Sequence, residues 1–437
     1  PAIMSIELIS ILLLFVSFFA LLGYGVPVAY SIGISTTLTI LVNIAFGPGI
    51  TTVSQRMTTG IDSFALLAIP FFILAGEIMK RGGIANRLIN FAKSLVGSLP
   101  GGLGFVNVIA AMLMGAISGS AMAAASGIGS IMTDRMEEEG YSRPFSASIN
   151  ITSATTGLLI PPSNTLIVYA LASGGAASVA ALFLAGYIPG ILVGVALMIV
   201  ISYTAFTKKL PRGERVSLGR LFRDFRRAFF SLLLLVVIVG GIIAGIFTAT
   251  EAAAIAVVYA GVLGYSYGDL KLKDIGPILL ESAKVTASVM FLICTSMAMS
   301  WLFSFESIPQ LLTDFLLDKF SSPVVIFFII NITLLIVGTF MDMTPAVLIF
   351  TPIFLPVVTQ LGMHPVHFGI IMVLNLCIGL CTPPVGTLLF VGSGVAKISV
   401  SDIMGSLIPL LITMVVVLML VTYISGLSLW LPGLFGY

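Results

Sequence analysis

The chain has 437 residues, 58% of them hydrophobic and 9% charged, with 44 glycines and a formal net charge of +2. A soluble domain cannot shield that much apolar surface, and a near-neutral chain gives nucleic acid no electrostatic footprint, so both classes are excluded. What remains is an all-α polytopic protein with the lipid bilayer as its solvent.

Apolar runs long enough to span lie near 5–23, 26–47, 62–80 and 180–206, and again near 228–247, 250–267, 283–303 and 404–426. The first run is followed at once by another and lacks a basic flank, so it is a span and not a signal peptide. Segments 103–138 and 323–360 behave differently. Each is a pair of apolar half-runs of roughly 15 residues, about 23 Å at helical rise, short of a core roughly 30 Å thick. The half-runs meet at small, polar tips: Gly115-Ala-Ile-Ser118-Gly119-Ser120 and Gly338-Thr339-Phe-Met-Asp342-Met-Thr344-Pro345. Re-entrant hairpins are expected here; the plainer alternative is a span with a glycine packing face.

The remaining two runs carry a phrase that the chain says twice. Gly157-Leu-Leu-Ile-Pro161-Pro162-Ser163-Asn164-Thr165-Leu166 returns 222 residues later (379 − 157) as Gly379-Leu-Cys-Thr382-Pro383-Pro384-Val-Gly386-Thr387-Leu388. A double proline removes two backbone donors and bars the preceding residue from helical geometry, so the helices near 145–172 and 366–396 must break inside their apolar stretch. At membrane depth a break is tolerated only where the freed backbone lines a cavity or binds something, and paired breaks point to a carrier's binding site.

Each half is thus three spans, a hairpin, a broken helix and one more span. Five crossings is an odd number, so the second half is inverted relative to the first. With the N-terminus outside, eighteen of the twenty basic residues fall inside, and only Arg56 and Lys319 do not. Both termini are then periplasmic, Ser173 lies in an outer loop and Ser217 in the inner linker. The expected division is scaffold spans and an arm helix over 1–102, then a transport core over 103–179. Scaffold spans, a basic linker (207–228) and a second arm follow over 180–322, then the rest of the core over 323–403, and a last span with a periplasmic tail over 404–437. The arms are two amphipathic stripes, Ile84, Leu88, Phe91 and Leu95, then Ile308, Leu311, Leu312, Phe315 and Leu316. In the linker, Leu218, Leu221, Phe222 and Phe225 share a face among arginines, a pattern for the anionic inner leaflet.

Buried charge needs a reason. Glu251 follows Thr248 by three, a capping box, and Glu77 lies one turn before Lys80 and Arg81, an ion pair. Asp342 has neither excuse, and Thr344 before Pro345 already fits the cap of the following helix, so Asp342 is assigned to function. His364 and His367 are taken as incidental, and Cys377 and Cys381, at i, i+4, as small packing residues.

Hard oxygen donors crowd the tips and breaks: Ser118, Ser120, Ser153, Thr155, Thr156, Ser163, Asn164, Thr165, Thr339, Thr344, Thr382 and Thr387. Together with free carbonyls they suit Na⁺ rather than a proton relay. Two or more ions are expected. Ser118, Gly119, Thr155, Gly157, Pro161 and Asn164 are candidates for one site; Gly338, Thr339, Asp342, Gly379, Thr382, Pro383 and Gly386 for another. Candidates for substrate contact are Ser120, Asn164, Asp342, Thr344 and Gly386. No lysine or arginine lies near the tips, so an anion would be held by half-helix N-termini, backbone amides and co-bound cations. That reasoning leaves a neutral substrate open.

Gly115-Ala-Ile-Ser-Gly-Ser120, Gly129-Ser-Ile-Met132, Gly140-Tyr141, Ile160-Pro-Pro-Ser163, Leu184-Ala-Gly-Tyr-Ile-Pro-Gly190 and Cys381-Thr-Pro-Pro-Val-Gly-Thr387 follow one another along the chain. Over essentially its whole length the sequence resembles the large membrane subunit of tripartite ATP-independent periplasmic (TRAP) transporters. The resemblance implies a Na⁺-coupled elevator carrier of the ion-transporter superfamily in the bacterial inner membrane. It also implies a small four-span membrane subunit, a periplasmic substrate-binding protein and an organic-acid substrate. Ser120-Ala-Met122 and Asn164-Thr165 look more like the sialic-acid branch than the dicarboxylate branch.

Other classes fare worse. An intramembrane enzyme lacks His-Glu-x-x-His or Gly-x-Gly-Asp, no catalytic residue is assigned, and an ATP-driven pump would need a Gly-Lys-[Ser/Thr] loop. A channel also uses re-entrant segments, but hairpins from both sides favour alternating access. A stand-alone Na⁺-coupled dicarboxylate or citrate carrier of the same superfamily is the nearest alternative.

Overall fold

The computed structural model describes residues 2–210, 217–320 and 322–437, which form twenty α-helices and no strand. The first half opens with two apolar helices, α1 (Ala2–Gly23) and α2 (Val28–Asn43). Then comes a helix that hydropathy does not announce, α3 (Phe46–Ile61). Its glycines and threonines dilute the apolar signal, yet Phe46, Ile50, Val53 and Met57 recur at helical spacing. A 3₁₀ turn at Phe64–Leu67 joins it to α4 (Ala68–Arg81) with a bend of 62°. The arm α5 (Ile84–Val96) follows, then the hairpin of α6 (Gly102–Ser118) and α7 (Ala121–Glu138). Its tip turns at Gly119, whose φ of +62° lies in the left-handed region and whose N–H donates to the Gly115 carbonyl at 2.7 Å. The broken helix is α8 (Arg143–Ala154), prolonged by a 3₁₀ turn to Leu158, and α9 (Asn164–Ala172); α10 (Val179–Thr207) closes the half.

The second half repeats the order: α11 (Leu218–Ile243), α12 (Ala249–Ser266), α13 (Leu272–Phe305) and the arm α14 (Ile308–Lys319). The hairpin of α15 (Pro323–Phe340) and α16 (Met343–Gln360) precedes the broken pair α17 (Pro365–Leu380) and α18 (Thr387–Ala396). Then come α19 (Val400–Tyr423) and a short α20 (Gly426–Leu434). Where the first half has a bent pair, the second has α13, a single helix of 34 residues. Seven described helices are long and apolar enough to cross a membrane, or eight if the bent pair is one span.

Packing divides these elements into two groups. One holds α1 to α4 with α11 to α13: α4 lies against α12 and α13, α13 against α2 and α3, and α11 against α12. The other holds the hairpins, the broken helices, α10, α19 and α20. The span assigned above to the scaffold, α10, packs on α17, α19, α20, α6 and α9, and touches α11 only slightly. The tail expected after the last span is in fact α20, seated against α10 and α17. Of the expected linker, residues 211–216 lie outside the described residues, and from Leu218 onward the chain is already α11. Its aromatic face is therefore the opening of a long apolar helix rather than a separate surface loop. The arms join the groups, α5 lying against both α11 and α6 and α14 more against α16 than against α13, and α4 and α13 also pack directly on α6 and α16.

Each hairpin meets its own half's broken helix glycine to glycine. A Cβ on Gly157 would stand 2.2 Å from the Gly115 Cα, and one on Gly379 would stand 2.5 Å from the Gly338 Cα. Only hydrogen fits at either crossing. The first break is also pressed onto α10, where a Cβ on Gly186 would lie 2.1 Å from the Leu159 carbonyl oxygen. That contact explains the first glycine, Gly186, in Leu184-Ala-Gly-Tyr-Ile-Pro-Gly190.

Candidate functional site

The breaks do not close on themselves. The Pro161–Pro162 and Pro383–Pro384 bonds are both cis, and the helices resume only at Asn164 and Thr387. The hairpins turn at the same level, so four helix starts converge: α7 after Ser120, α9 after Ser163, α16 after Asp342 and α18 after Gly386. Between them lies a cavity of about 210 Å³. Ser120 to Ala123, Asn164 and Thr165, Asp342 to Thr344, and Thr387 supply first-turn or cap residues from all four helices. Each helix start carries roughly half a positive charge and free N–H groups. The opposing ends arrive at the same place, with Ser118 and Gly119 closing α6, Leu158 ending the 3₁₀ turn and Leu380 ending α17. Amide dipoles of both signs therefore face one small space.

Side chains finish the site. Ser120 Oγ accepts from the Ala123 N–H at 3.3 Å. Ser163 Oγ accepts from the Leu166 N–H at 3.4 Å and donates to the Leu158 carbonyl at 2.5 Å, so one hydroxyl ties the two sides of the break. Two buried oxygens on the cavity wall, Asn164 Oδ1 and Thr387 Oγ1, have no hydrogen-bond partner among the described residues. Buried polar atoms left without partners are costly, and both belong to residues that line the cavity. Two carboxylates line the cavity, Asp342 and Glu77, while no lysine or arginine does so among the described residues. Glu77 keeps its expected partner, Lys80 Nζ at 3.7 Å. Asp342, not Thr344, is the cap residue of α16, because the helix begins at Met343; even so its side chain makes no capping hydrogen bond. The capping box at Thr248 and Glu251 is present.

Of the residues singled out by sequence, Ser118, Gly119, Ser120, Asn164, Asp342 and Thr344 line this one cavity. Of the second expected ion set, only Asp342 reaches this cavity. Gly157, Gly338 and Gly379 lie at the glycine crossings behind it. Thr155 is buried between the broken helices, donating to the Thr152 carbonyl at 2.7 Å, with Cys377 Sγ on its own carbonyl at 3.5 Å. Pro161 and Pro383 belong to the breaks without lining the space. Gly386 donates its N–H to the Thr339 carbonyl at 3.2 Å and so fastens the second break to the second tip. The side chains of Thr339 and Thr382 sit elsewhere, on an apolar groove with Ile378, Pro384, Ile408 and Leu411. Each hydroxyl there is returned to its own helix, at 2.7 Å to Ile336 and Ile378 respectively.

Sequence reasoning missed the far wall. Ile69, Ile73, Gly76 and Glu77 of α4, with Val285 and Val289 of α13, complete the cavity from the other packing group. Gly76 crosses the first tip so closely that a Cβ would lie 3.2 Å from the Ser118 carbonyl oxygen. The i, i+4 pair of valines in α13 is a signal too weak to have found it. The histidines have local work: His364 Nδ1 accepts from the Val366 N–H at 3.2 Å, and the buried His367 reaches the Thr422 carbonyl at 3.3 Å.

A family model described as "Tripartite ATP-independent periplasmic transporter, DctM component" matches residues 15–427. The chain belongs to this family. It is the permease component of a TRAP transporter, a multi-pass membrane protein and not an enzyme. An uncharacterized Salmonella typhimurium protein, YgiK, is 51% identical over 98% of both chains. A Rhodobacter capsulatus C4-dicarboxylate TRAP transporter large permease is 41% identical over 98% of this chain and 100% of its own. A Vibrio cholerae sialic acid TRAP transporter large permease is 41% identical over 95% and 97%. Among solved structures, the Alcanivorax borkumensis YdaH transporter superposes with a TM-score of 0.65 at 12% identity, covering 89% of this chain and 90% of its own. That likeness is one of fold. In this TRAP permease the fold is accordingly the two-repeat transporter architecture, with a hairpin and a broken helix in each repeat.

Proposed function

We propose that this TRAP permease imports an organic anion by Na⁺-coupled alternating access. The substrate is handed over by a periplasmic binding protein, and a small four-span membrane subunit stands beside the permease in the bacterial inner membrane. The observation that carries this reading is the convergence of four helix starts on a cavity with no basic side chain. Backbone dipoles attract an anion there, and Asp342, Asn164 Oδ1 and Thr387 Oγ1 offer hard oxygens for cations. The cations neutralise Asp342 and complete the anion's surroundings, so each ligand makes the site better for the other. The packing groups suggest the moving parts: hairpins, broken helices, α10 and α19 slide as an elevator along α4 and α13. Orientation follows the charge pattern, with both termini periplasmic.

Two relatives with different substrates in their names are equally similar, at 41% identity, so similarity does not choose between them. The five residues behind the sialic-acid expectation, Ser120 to Met122 with Asn164 and Thr165, all line the cavity. Its volume of about 210 Å³ is nevertheless below the roughly 300–1,000 Å³ usual for drug-sized ligands. In this conformation the space suits a small acid, and a nine-carbon sugar acid requires the hairpins to part. Uptake by the reconstituted transporter tests both levels. Labelled acid should accumulate only with a Na⁺ gradient and the binding protein. Competition between succinate and N-acetylneuraminate then decides the class. Accumulation without Na⁺, or without any binding protein, would overturn the coupled tripartite reading.

A further inference from the structure

A second polar concavity lies away from the transport site, where the two halves of the chain meet. Between α5 and α11 there is a pocket of about 390 Å³, lined by Asn90 and Lys93 from α5 and by Arg220, Arg223, Asp224 and Arg227 from α11. The α11 residues follow i, i+3, i+4, i+7 and so share one helix face. Asp224 is already engaged: it accepts from Ser94 Oγ, and Arg220 Nε stands 3.9 Å away. Lys93 has Glu139 at 3.9 Å, outside the pocket lining. Among the described residues, Arg223 and Arg227 have no acidic partner. Four cationic side chains thus line the pocket against one carboxylate.

Its depth is set by the sequence. Arg227 is the last charged residue before an uncharged stretch from 228 to 243, so the pocket sits at the edge of the hydrocarbon layer. On the opposite face of the same turns, Leu218, Phe222 and Phe229 are exposed. A helix start with arginines on one face and bare aromatic residues on the other fits the headgroup zone of a bilayer. Basic pockets between helices at that level take lipid phosphates.

We propose that this pocket binds the phosphate-bearing headgroup of an anionic phospholipid, with Arg223 and Arg227 as its main contacts. The lipid ties the arm α5 of the first half to α11, the first helix of the second. Free phosphate shares the chemistry, but the pocket opens where headgroups are concentrated and dissolved anions are not.

The test uses the full chain in detergent, with whatever membrane subunit co-purifies. Melting is followed while dihexanoyl phosphatidylglycerol, dihexanoyl phosphatidylcholine or inorganic phosphate is added. Phosphatidylglycerol alone should raise the melting temperature. Removing both guanidinium groups, in Arg223→Gln with Arg227→Gln, should raise the lipid concentration needed by roughly thirtyfold. Arg226→Gln removes an exposed charge that does not line the pocket and should keep the wild-type midpoint. An equal response to phosphate or phosphatidylcholine overturns the proposal. So does an Arg226→Gln variant that behaves like the double variant, since that means diffuse surface charge. Should the double variant not purify, each single variant must show a smaller shift in the same direction; no shift in either counts against the site.

Discussion

Asp342 is the cap residue of α16 yet makes no side-chain capping hydrogen bond, and it lines the cavity. A carboxylate at membrane depth costs roughly 3 kcal/mol or more unless something compensates it. Asn caps helices about as well as Asp, so Asp342→Asn separates the two roles that its position allows. The variant should melt like the wild type and lose Na⁺-driven uptake in vesicles; near-normal uptake would return Asp342 to capping. The glycine crossings make a different claim. Gly157→Ala places a methyl 2.2 Å from a backbone atom and should destabilise by about 1–3 kcal/mol. Gly127→Ala, with nothing within 4 Å, should be neutral or slightly stabilising, since Ala favours helix over Gly by up to ~1 kcal/mol. Thermal melts of the two variants settle it, and equal melts would mean the crossing is looser than described. Much of this was legible from local chemistry, because a double proline and a Gly-Ser tip announce a break and a turn on their own. The placement of Thr339 and Thr382 was not. Whether a hydroxyl beside a break faces the cavity or the outer groove depends on helix phase, and composition is silent about phase.

At the scale of the element, the half-helix is the working unit, and its cap holds it in place. Ser163 Oγ both caps α9 and returns to Leu158 across the break. Ser163→Ala should cost about 1 kcal/mol in stability and raise the Na⁺ concentration needed for half-maximal uptake. A Na⁺ titration that is unmoved would show that the break is held by its prolines and packing alone. Elements with a long apolar run, such as α10 and α19, could be read directly from hydropathy. The helix α3 could not, because its contacts with α13 are made through a sparse stripe and through Gly60, where a Cβ would lie 2.5 Å from Met297. Sparse stripes become legible only when the partner helix is known. The bent α3–α4 pair and the straight α13 also break the equivalence of the two halves within one packing group.

Across the whole molecule, the topology rests on charge and can be tested by labelling. Ser173 falls in the loop after the first broken helix but is itself buried, bonded to the Ala170 carbonyl at 2.7 Å, so the exposed Ala176 is the better probe. A cysteine at Ala176 should react with an impermeant thiol reagent added outside, and one at Ser217 should not; the reverse pattern would sink the assigned orientation. The cavity has a further consequence. Its hairpin and half-helix wall belongs to one packing group, while Ile69, Ile73, Gly76, Glu77, Val285 and Val289 belong to the other. Under the proposed elevator, a cargo carried by the first group leaves part of its container behind on every trip. In that elevator, the hold on the passenger differs at the two ends of the stroke, and α4 and α13, the helices assigned to the fixed frame, help decide where it gets off.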